Sequence, residues 1–398
     1  MEKKKTVLIL YSGGLDTSIC IPMMREDYGF DHVVTVTVDV GLPEGELKQA
    51  EDKAKMLGTE HYSLDVREEF VTDYIFPTIK ANGDYQGYPL STAIARPLIM
   101  VKTCEITEKT GAQAFCHGCT GKGNDQFRFE MGMRLGRPDL PIIAPMREKS
   151  MSRSWEIDYA AEHGIPIGQS KEKIWSIDEN LWGRSIEGGK LEDPNYAPPE
   201  EIYKWTKSIA DANDTPQDVT IEFVNGEPVA IDGQKMKPLD LILAAHKIAG
   251  DNGVGRVDMM EDRIIGMKVR ENYECPAAKI LIPAHKALEE LVLTKEEREF
   301  KAIVDQRWSR LVYDGLWFDP LKEDLDAFIN TMQPRVTGTA TLRLYKGSCT
   351  VVGRKSDFAL YNEALASFDD KSFNQAEAAG VVKLHGLQAR MYDSIVKK

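Results

Sequence analysis

The chain begins with an apolar run, Thr6–Leu10 (TVLIL), that shows no polar alternation, the pattern of a strand buried on both faces of a parallel sheet. Strand-like and helix-like stretches then alternate as far as about residue 165. His32–Asp39 predicts a second strand, Glu60–Val66 a third, Ala112–Cys116 a fourth and Pro141–Pro145 a fifth. Leu47, Ala50, Ala54 and Leu57 recur at helical spacing before Gly58, and a long helix is predicted over Ala93–Thr110 before Gly111. Further helices are expected over Asn124–Leu135 and over Ser152–His163, the latter capped by Ser152. This order predicts an α/β fold, a doubly wound parallel sheet that takes its ligand at the carboxyl ends of the strands. Pro22 conflicts with the first helix: it lacks a backbone donor and crowds the carbonyl of Ser18, so the expectation is a kink there or a helix whose first turn is held mainly by the phosphate site.

From about Gly168 the pattern becomes α+β. Val219–Ile231 holds two strands around Asn225-Gly226, a type I′ hairpin signal, and Pro238–Ala249 reads as a helix. Thr294 with Glu297 forms a capping box opening a helix to about Tyr313, and Thr339–Tyr345 and Ser348–Val352 form a second hairpin across Lys346-Gly347. Within 374–396, Val381, Leu384, Leu387, Met391 and Ile395 recur at helical spacings. That stripe could pack on its own domain or on another subunit, and its position after the last hairpin favours the partner. The expected division is 1–168, 169–366 and a helical tail, 367–398.

Composition narrows the class. With 398 residues, 42% apolar and 28% charged, the chain has enough length for two cored domains. No apolar run approaches the roughly 20 residues of a membrane helix, and the lysine-rich start passes straight into a strand, so a cytoplasmic protein is expected. A net charge of −13 argues against a nucleic-acid surface. Six scattered cysteines suit a reducing compartment. Cys116 and Cys119 form a CxxC, but no second Cys/His pair supplies the other two ligands of a zinc site, so the spacing reads as coincidence.

Two loops carry the chemistry. After the first strand, Ser12-Gly13-Gly14 breaks the chain, and Asp16, Thr17 and Ser18 are residue types that start helices. A strand, a glycine turn and a helix N-terminus make an anion site for phosphate. Neither a Walker lysine nor a GxGxxG fingerprint is present; SGGLDTS instead resembles the pyrophosphatase loop of enzymes that split ATP between its α- and β-phosphates. The second loop, His117–Phe129 (HGCTGKGNDQFRF), follows the fourth strand and opens a helix, which would place it beside the first. Asn124 and Arg128 are four residues apart, on one helix face, and Arg128 could fork onto a carboxylate.

YSGGLDTS together with GCTGKGNDQFRFE resembles the argininosuccinate synthase family, and the resemblance continues through YPLSTAIARPL, WSIDENLWGRS, EGGKLEDP and GVGRVDMMEDRIIGMKVRENYECPA into the tail. It implies a nucleotide-binding domain (1–168), a synthetase domain (169–366) and a C-terminal oligomerisation helix (367–398) of a homotetramer. It implies a C–N ligase of arginine biosynthesis: the ureido oxygen of citrulline attacks the α-phosphorus of ATP, carried with Mg²⁺, and aspartate then displaces AMP from the citrullyl-adenylate. By that resemblance Leu10, Tyr11, Ser12, Gly13, Gly14, Leu15, Asp16, Thr17, Ser18, Val38 and Gly118 bind ATP. Thr120, Asn124 and Asp125 hold aspartate. Tyr88, Ala93, Asn124, Arg128, Ser176, Ser185, Glu261 and Tyr273 hold citrulline, and Asp16, Asp125 and Arg128 are the catalytic candidates. Arg128 suits the citrulline carboxylate and Glu261 its N–H groups. No side chain reads as a strong general base, so catalysis should rest on positioning and charge stabilisation.

The family often has serine where this chain has Ala93, and Thr92 is expected to supply the missing hydroxyl; Val38 likewise replaces a smaller residue near the adenine. One rival is a tRNA-thiolating pyrophosphatase-loop enzyme using Cys116 and Cys119, which would want a basic face. Another is a nucleotide sensor without catalysis, which leaves Ser176, Ser185, Glu261 and Tyr273 without a purpose.

Overall fold

The computed structural model describes residues 4–149, 151, 153–166, 175–369 and 374–397. Five parallel strands, β1 (Thr6–Leu10), β2 (His32–Asp39), β3 (Glu60–Asp65), β4 (Ala114–Cys116) and β5 (Ile142–Ile143), form a sheet in the order β3-β2-β1-β4-β5. The chain winds outward from β1 to β3, then returns across β1 to β4, so the order reverses beside β1. A crevice opens at such a reversal beyond the carboxyl ends of the strands. The apolar run of β1 is explained by its two faces: Leu8 joins the larger core, while Val7 and Ile9 join a second core with Ile19 and Met23 of the Leu15–Glu26 helix.

Several expected boundaries shift. The long helix begins at Ser91, after Leu90 in a left-handed conformation (φ 63°), and ends at Thr110 against Gly111 (φ 64°). The fifth strand is two residues long, because Pro145 starts the short helix Pro145–Lys149. The Leu15–Glu26 helix is continuous through the buried Pro22, so the expected kink does not interrupt it. Ser152, expected to cap the Arg153–Glu162 helix, and the expected boundary at 168/169 lie outside the described residues.

The rest of the chain builds two antiparallel sheets. β6 (Ser176–Asn180) and β7 (Gly183–Glu187) make a hairpin whose strand β7 pairs with β12 (Lys268–Glu274), itself paired with β11 (Arg256–Asp262). The other sheet has the order β10-β9-β8-β13-β14, with β8 (Gln217–Val224), β9 (Glu227–Ile231), β10 (Gln234–Lys235), β13 (Gly338–Tyr345) and β14 (Ser348–Lys355). Asn225 and Gly226 have φ of 52° and 76°, as a type I′ turn requires, and the Thr294–Glu297 capping box is formed at the head of the Lys295–Tyr313 helix. The β6–β7 turn locks onto the first sheet. Leu181 N donates to Val40 O at 2.9 Å and the Trp182 indole N–H to Pro89 O at 2.8 Å. Gly41, at φ 112°, allows this approach, since a Cβ there would lie 2.4 Å from the Leu181 nitrogen.

The tail is two helices rather than one. Ala378–Leu384 ends at His385, Gly386 turns at φ 70°, and Leu387–Val396 follows. The five stripe residues are exposed in the single chain, Ile395 to 70% and Val381 to 69%.

Candidate active site

The first loop sits at the mouth of the crevice. Tyr11 is buried, Ser12 and Gly14 are exposed, and Gly13 takes φ 76°. A Cβ on Gly13 would come within 3.2 Å of the Ala50 Cβ, so the glycine lets the Glu46–Met56 helix lie against the loop. Ser12 Oγ accepts from Gly14 N–H at 3.2 Å and shares a 3.1 Å bond with Thr17 Oγ1, while Ser18 Oγ donates to Gly14 O at 2.7 Å. The hydroxyls thus brace the turn, and the helix starts at Leu15 with Gly14 as its extended N-cap, without a side-chain cap. Val38 lies buried near the end of β2 and Leu10 ends β1.

The second loop rests on the first. A Cβ on Gly118 would meet Thr17 Cγ2 at 3.0 Å, Thr17 N at 3.3 Å and the Asp16 carbonyl carbon at 3.4 Å. The glycine lets the loop rest closely over that helix N-terminus, where a Cβ would be in tight contact. His117 anchors the loop: its Nδ1 accepts from Cys119 N–H at 3.2 Å, and its Nε2 faces Glu130 at 3.3 Å. Bonds from His117, Arg147 and Arg134 hold the Glu130 carboxyl at about 2, against the cost of its burial. Thr120 is exposed on the loop.

The Asp125–Gly136 helix carries the polar centre. Asn124 Nδ2 donates to Glu261 Oε1 at 3.1 Å and to Tyr313 OH at 2.9 Å, and its Oδ1 accepts from Ile264 N–H at 3.0 Å. Glu261, 3% exposed, also accepts from Tyr273 OH at 2.6 Å and from Tyr313 OH. Tyr273 stacks on Tyr88, whose OH shares a 2.7 Å bond with Thr92 Oγ1. Thr92 also accepts from Arg128 Nη1 at 3.2 Å, which places a hydroxyl at this centre, whereas Ala93 is fully enclosed in the core. Arg128 differs from its expected use: its Nε and Nη2 fork onto the Tyr313 carbonyl at 3.2 and 3.1 Å, leaving Nη1 toward Thr92 and Asp125.

Asp125 accepts from Arg96 at 2.7 Å and from Arg128 at 3.3 Å. Burial would raise its carboxyl, but the two guanidinium groups hold it below the usual carboxylate range. A carboxylate so held positions an amine by accepting from it and is a poor proton acceptor. Arg96 also binds Asp178 on β6, whose carboxyl is raised chiefly by burial. Ser185 lies opposite both Asp178 and Tyr273 in the ladder, and Ser176, at the start of β6, is exposed.

The candidate residues therefore fall into a loop pair and a Glu261-centred cluster, with Ser176 and Thr120 at the rim. Arg96, Asp178, Tyr313 and Thr92 join them. Of these only Thr92 carried a sequence signal, as the neighbour of Ala93. Cys116 is fully buried beside Cys20, and burial pushes both the Cys116 and Cys119 thiols well up, which makes them poor nucleophiles.

The parallel sheet with a glycine loop at its switch point is that of a HUP-domain nucleotide protein. The family model described as Arginosuccinate synthase N-terminal HUP domain matches residues 6–166, and the one described as Arginosuccinate synthase C-terminal domain matches 175–392. An argininosuccinate synthase of Methanococcoides burtonii is 59% identical over 99% of this chain and 99% of its own length. Those of Methanosarcina acetivorans and Methanocaldococcus jannaschii are 56% and 57% identical, each over 99% of this chain and 100% of their own. The chain belongs to the argininosuccinate synthase family, a family of C–N bond-forming ligases, and the tRNA-thiolating alternative is set aside.

Proposed function

We propose that the chain joins L-citrulline to L-aspartate at the expense of ATP, releasing AMP and pyrophosphate. The observation that carries this reading is the seat of Gly118 on Asp16–Thr17, which puts the nucleotide loop and the amino-acid helix in one crevice. In this reading 10–18, Val38 and Gly118 hold ATP, which enters as its magnesium complex. The cation would travel on the phosphates. The ureido oxygen attacks the α-phosphorus, the α–β P–O bond breaks, and its electron pair leaves with pyrophosphate. The aspartate amine then attacks the adenylated ureido carbon and AMP departs with the C–O electron pair.

Tyr88, Arg128, Ser176, Ser185, Glu261 and Tyr273 would orient citrulline, with Thr92 in the place expected of Ala93. Asn124, Asp125 and Thr120 would orient aspartate. Asp16 would act from the helix N-terminus behind the glycines, where backbone N–H groups and the dipole favour the departing phosphates. A division into a nucleotide domain to residue 168, a synthetase domain to 366 and a docking tail completes the reading. The tail's exposed stripe supports burial on a second copy, in a homotetramer. A cytoplasmic setting suits the substrates; no described helix is long and apolar enough to cross a membrane.

The test is product analysis. With MgATP, citrulline and aspartate the chain should form AMP and pyrophosphate in equal amounts. Release of ADP and inorganic phosphate would overturn the reading.

A further inference from the structure

The Glu46–Met56 helix carries three lysines, Lys48, Lys53 and Lys55, and Lys53 differs from the others. Lys48 reaches Asp52 at 2.6 Å and Lys55 pairs with Glu51, both on the solvent side. Lys53 turns inward, one helical turn beyond the Ala50 that packs on Gly13, and its Nζ donates to the Gly13 carbonyl at 3.0 Å. Among the described residues no carboxylate lies within 4 Å of that ammonium, and partial burial, the sole cause acting on it, lowers its pKa. A half-desolvated cation facing a neutral carbonyl is unfavourable unless an anion arrives to complete it. The place where it waits is the loop that lacks a Walker lysine.

We propose that Lys53 is a binding cation of the phosphate loop, leaving the Gly13 carbonyl for the terminal phosphates of ATP and remaining on pyrophosphate as it departs. The proposal rests on the adenylation reading above. Lysine serves here as a compact point charge whose three donors are open to phosphate once it turns from the Gly13 carbonyl. Negative charge on the β-phosphate grows as the α–β P–O bond breaks, so the same ammonium is worth more in the transition state than in the bound substrate. The cation that a Walker loop holds within its own sequence is thereby supplied from a neighbouring helix.

The experiment compares Lys53→Met, Lys53→Arg and Lys55→Met in the full chain. Binding of pyrophosphate and of AMP is measured by calorimetry, and the KM values for MgATP and citrulline are taken alongside. Lys53→Met should weaken pyrophosphate binding and raise the MgATP KM by about tenfold or more, the scale of one charge-assisted bond. AMP binding and the citrulline KM should stay within about twofold, because neither ligand carries a β-phosphate. Lys53→Arg should keep most of the pyrophosphate affinity and Lys55→Met all of it. Equal weakening of pyrophosphate and AMP, or no change in either, overturns the proposal. If Lys53→Met does not fold, Lys53→Gln is read in the same way. Failure of the parent to make AMP from ATP would instead reject the adenylation reading, while direct pyrophosphate binding still judges Lys53.

Discussion

Tyr88 and Tyr273 lie face to face, their ring centroids 4.4 Å apart and their planes at 21°. Tyr88 follows the helical stretch at 67–80, and Tyr273 sits on β12, so the stack ties the two hydroxyls to one geometry. Tyr273 OH donates to Glu261 at 2.6 Å, and the ring alone is enough for the stack.

Tyr273→Phe should therefore preserve the fold and damage the site. Removing a hydrogen bond to a buried carboxylate costs roughly 1.5–3 kcal/mol. The expected result is a citrulline KM raised about tenfold or more, with the MgATP KM within about twofold. Steady-state kinetics on the purified variant checks it, and an unchanged citrulline KM would detach Glu261 from that substrate.

Two glycines of the second loop make a matched pair. A Cβ at Gly118 would press on Thr17 at 3.0 Å, whereas one at Gly123 would meet nothing within 4 Å. Gly118→Ala should pry the loops apart and weaken ATP binding by about tenfold or more, on the scale of a forced close contact of 1–3 kcal/mol. Gly123→Ala should leave nucleotide affinity within about twofold. Calorimetric titration with ATP separates the two, and equal affinities would refute the loop contact as a determinant.

His246 gives a pH prediction with a definite sign. Its Nε2–H donates to Leu181 O at 2.7 Å and its Nδ1 accepts from Ala277 N–H at 3.4 Å, an arrangement that only the neutral ring satisfies. Burial lowers its pKa to about 4. Between pH 6.5 and 4 the unfolded chain takes up a proton that the folded chain refuses, so stability is lost as pH falls. His246→Gln can donate and accept at the same places without titrating. The parent's stability advantage over this variant should shrink by roughly 2–3 kcal/mol from pH 7.5 to pH 4. Urea unfolding of both proteins across that range checks it; a constant difference would show that the buried ring does not govern the response.

The tail makes a prediction about assembly. Val381, Leu384, Leu387 and Met391 are all exposed in the single chain. Each is worth about 1.5–3 kcal/mol if fully buried. A chain ending near Ser367 should keep its nucleotide domain folded and assemble poorly. Light scattering decides it: a truncated chain that stays tetrameric would show that the tail is not what joins the copies.

Local signals carried much of the fold. The Asn225-Gly226 and Lys346-Gly347 turns, the Thr294–Glu297 box and the glycine stop after Thr110 are chemistry written in adjacent residues, and the structure places them where they were expected. The errors arose where local and tertiary preferences part. Apolar spacing runs unbroken through His385-Gly386, so the stripe alone read as one helix, although Gly386 turns at φ 70°. Helical structure over 67–80, including a wide turn at Val71–Ile75, went unanticipated for want of a clean period.

The site divides in the same way. Its loops were legible because glycines, hydroxyls and acids cluster within a few residues. Arg96 stands in the apolar stretch AIARPL, and its partners Asp125 and Asp178 come from another helix and another sheet. Lys53 and Tyr313 likewise gain their meaning across the crevice, from Gly13 and Glu261. Such contacts are set by topology and leave no local signature.

The seat of Gly118 on Thr17 also bears on the order in which the molecule comes into being. β1 can pair with β2 soon after both have been made, but β4 must return to the other flank of β1 from roughly a hundred residues further on. Until it does, the glycine turn after β1 lacks its cover and half of its crevice. Nucleotide affinity should thus arise late in synthesis, when the emerging chain has passed the second loop, and ATP would then act as a clamp that rewards completion of the sheet.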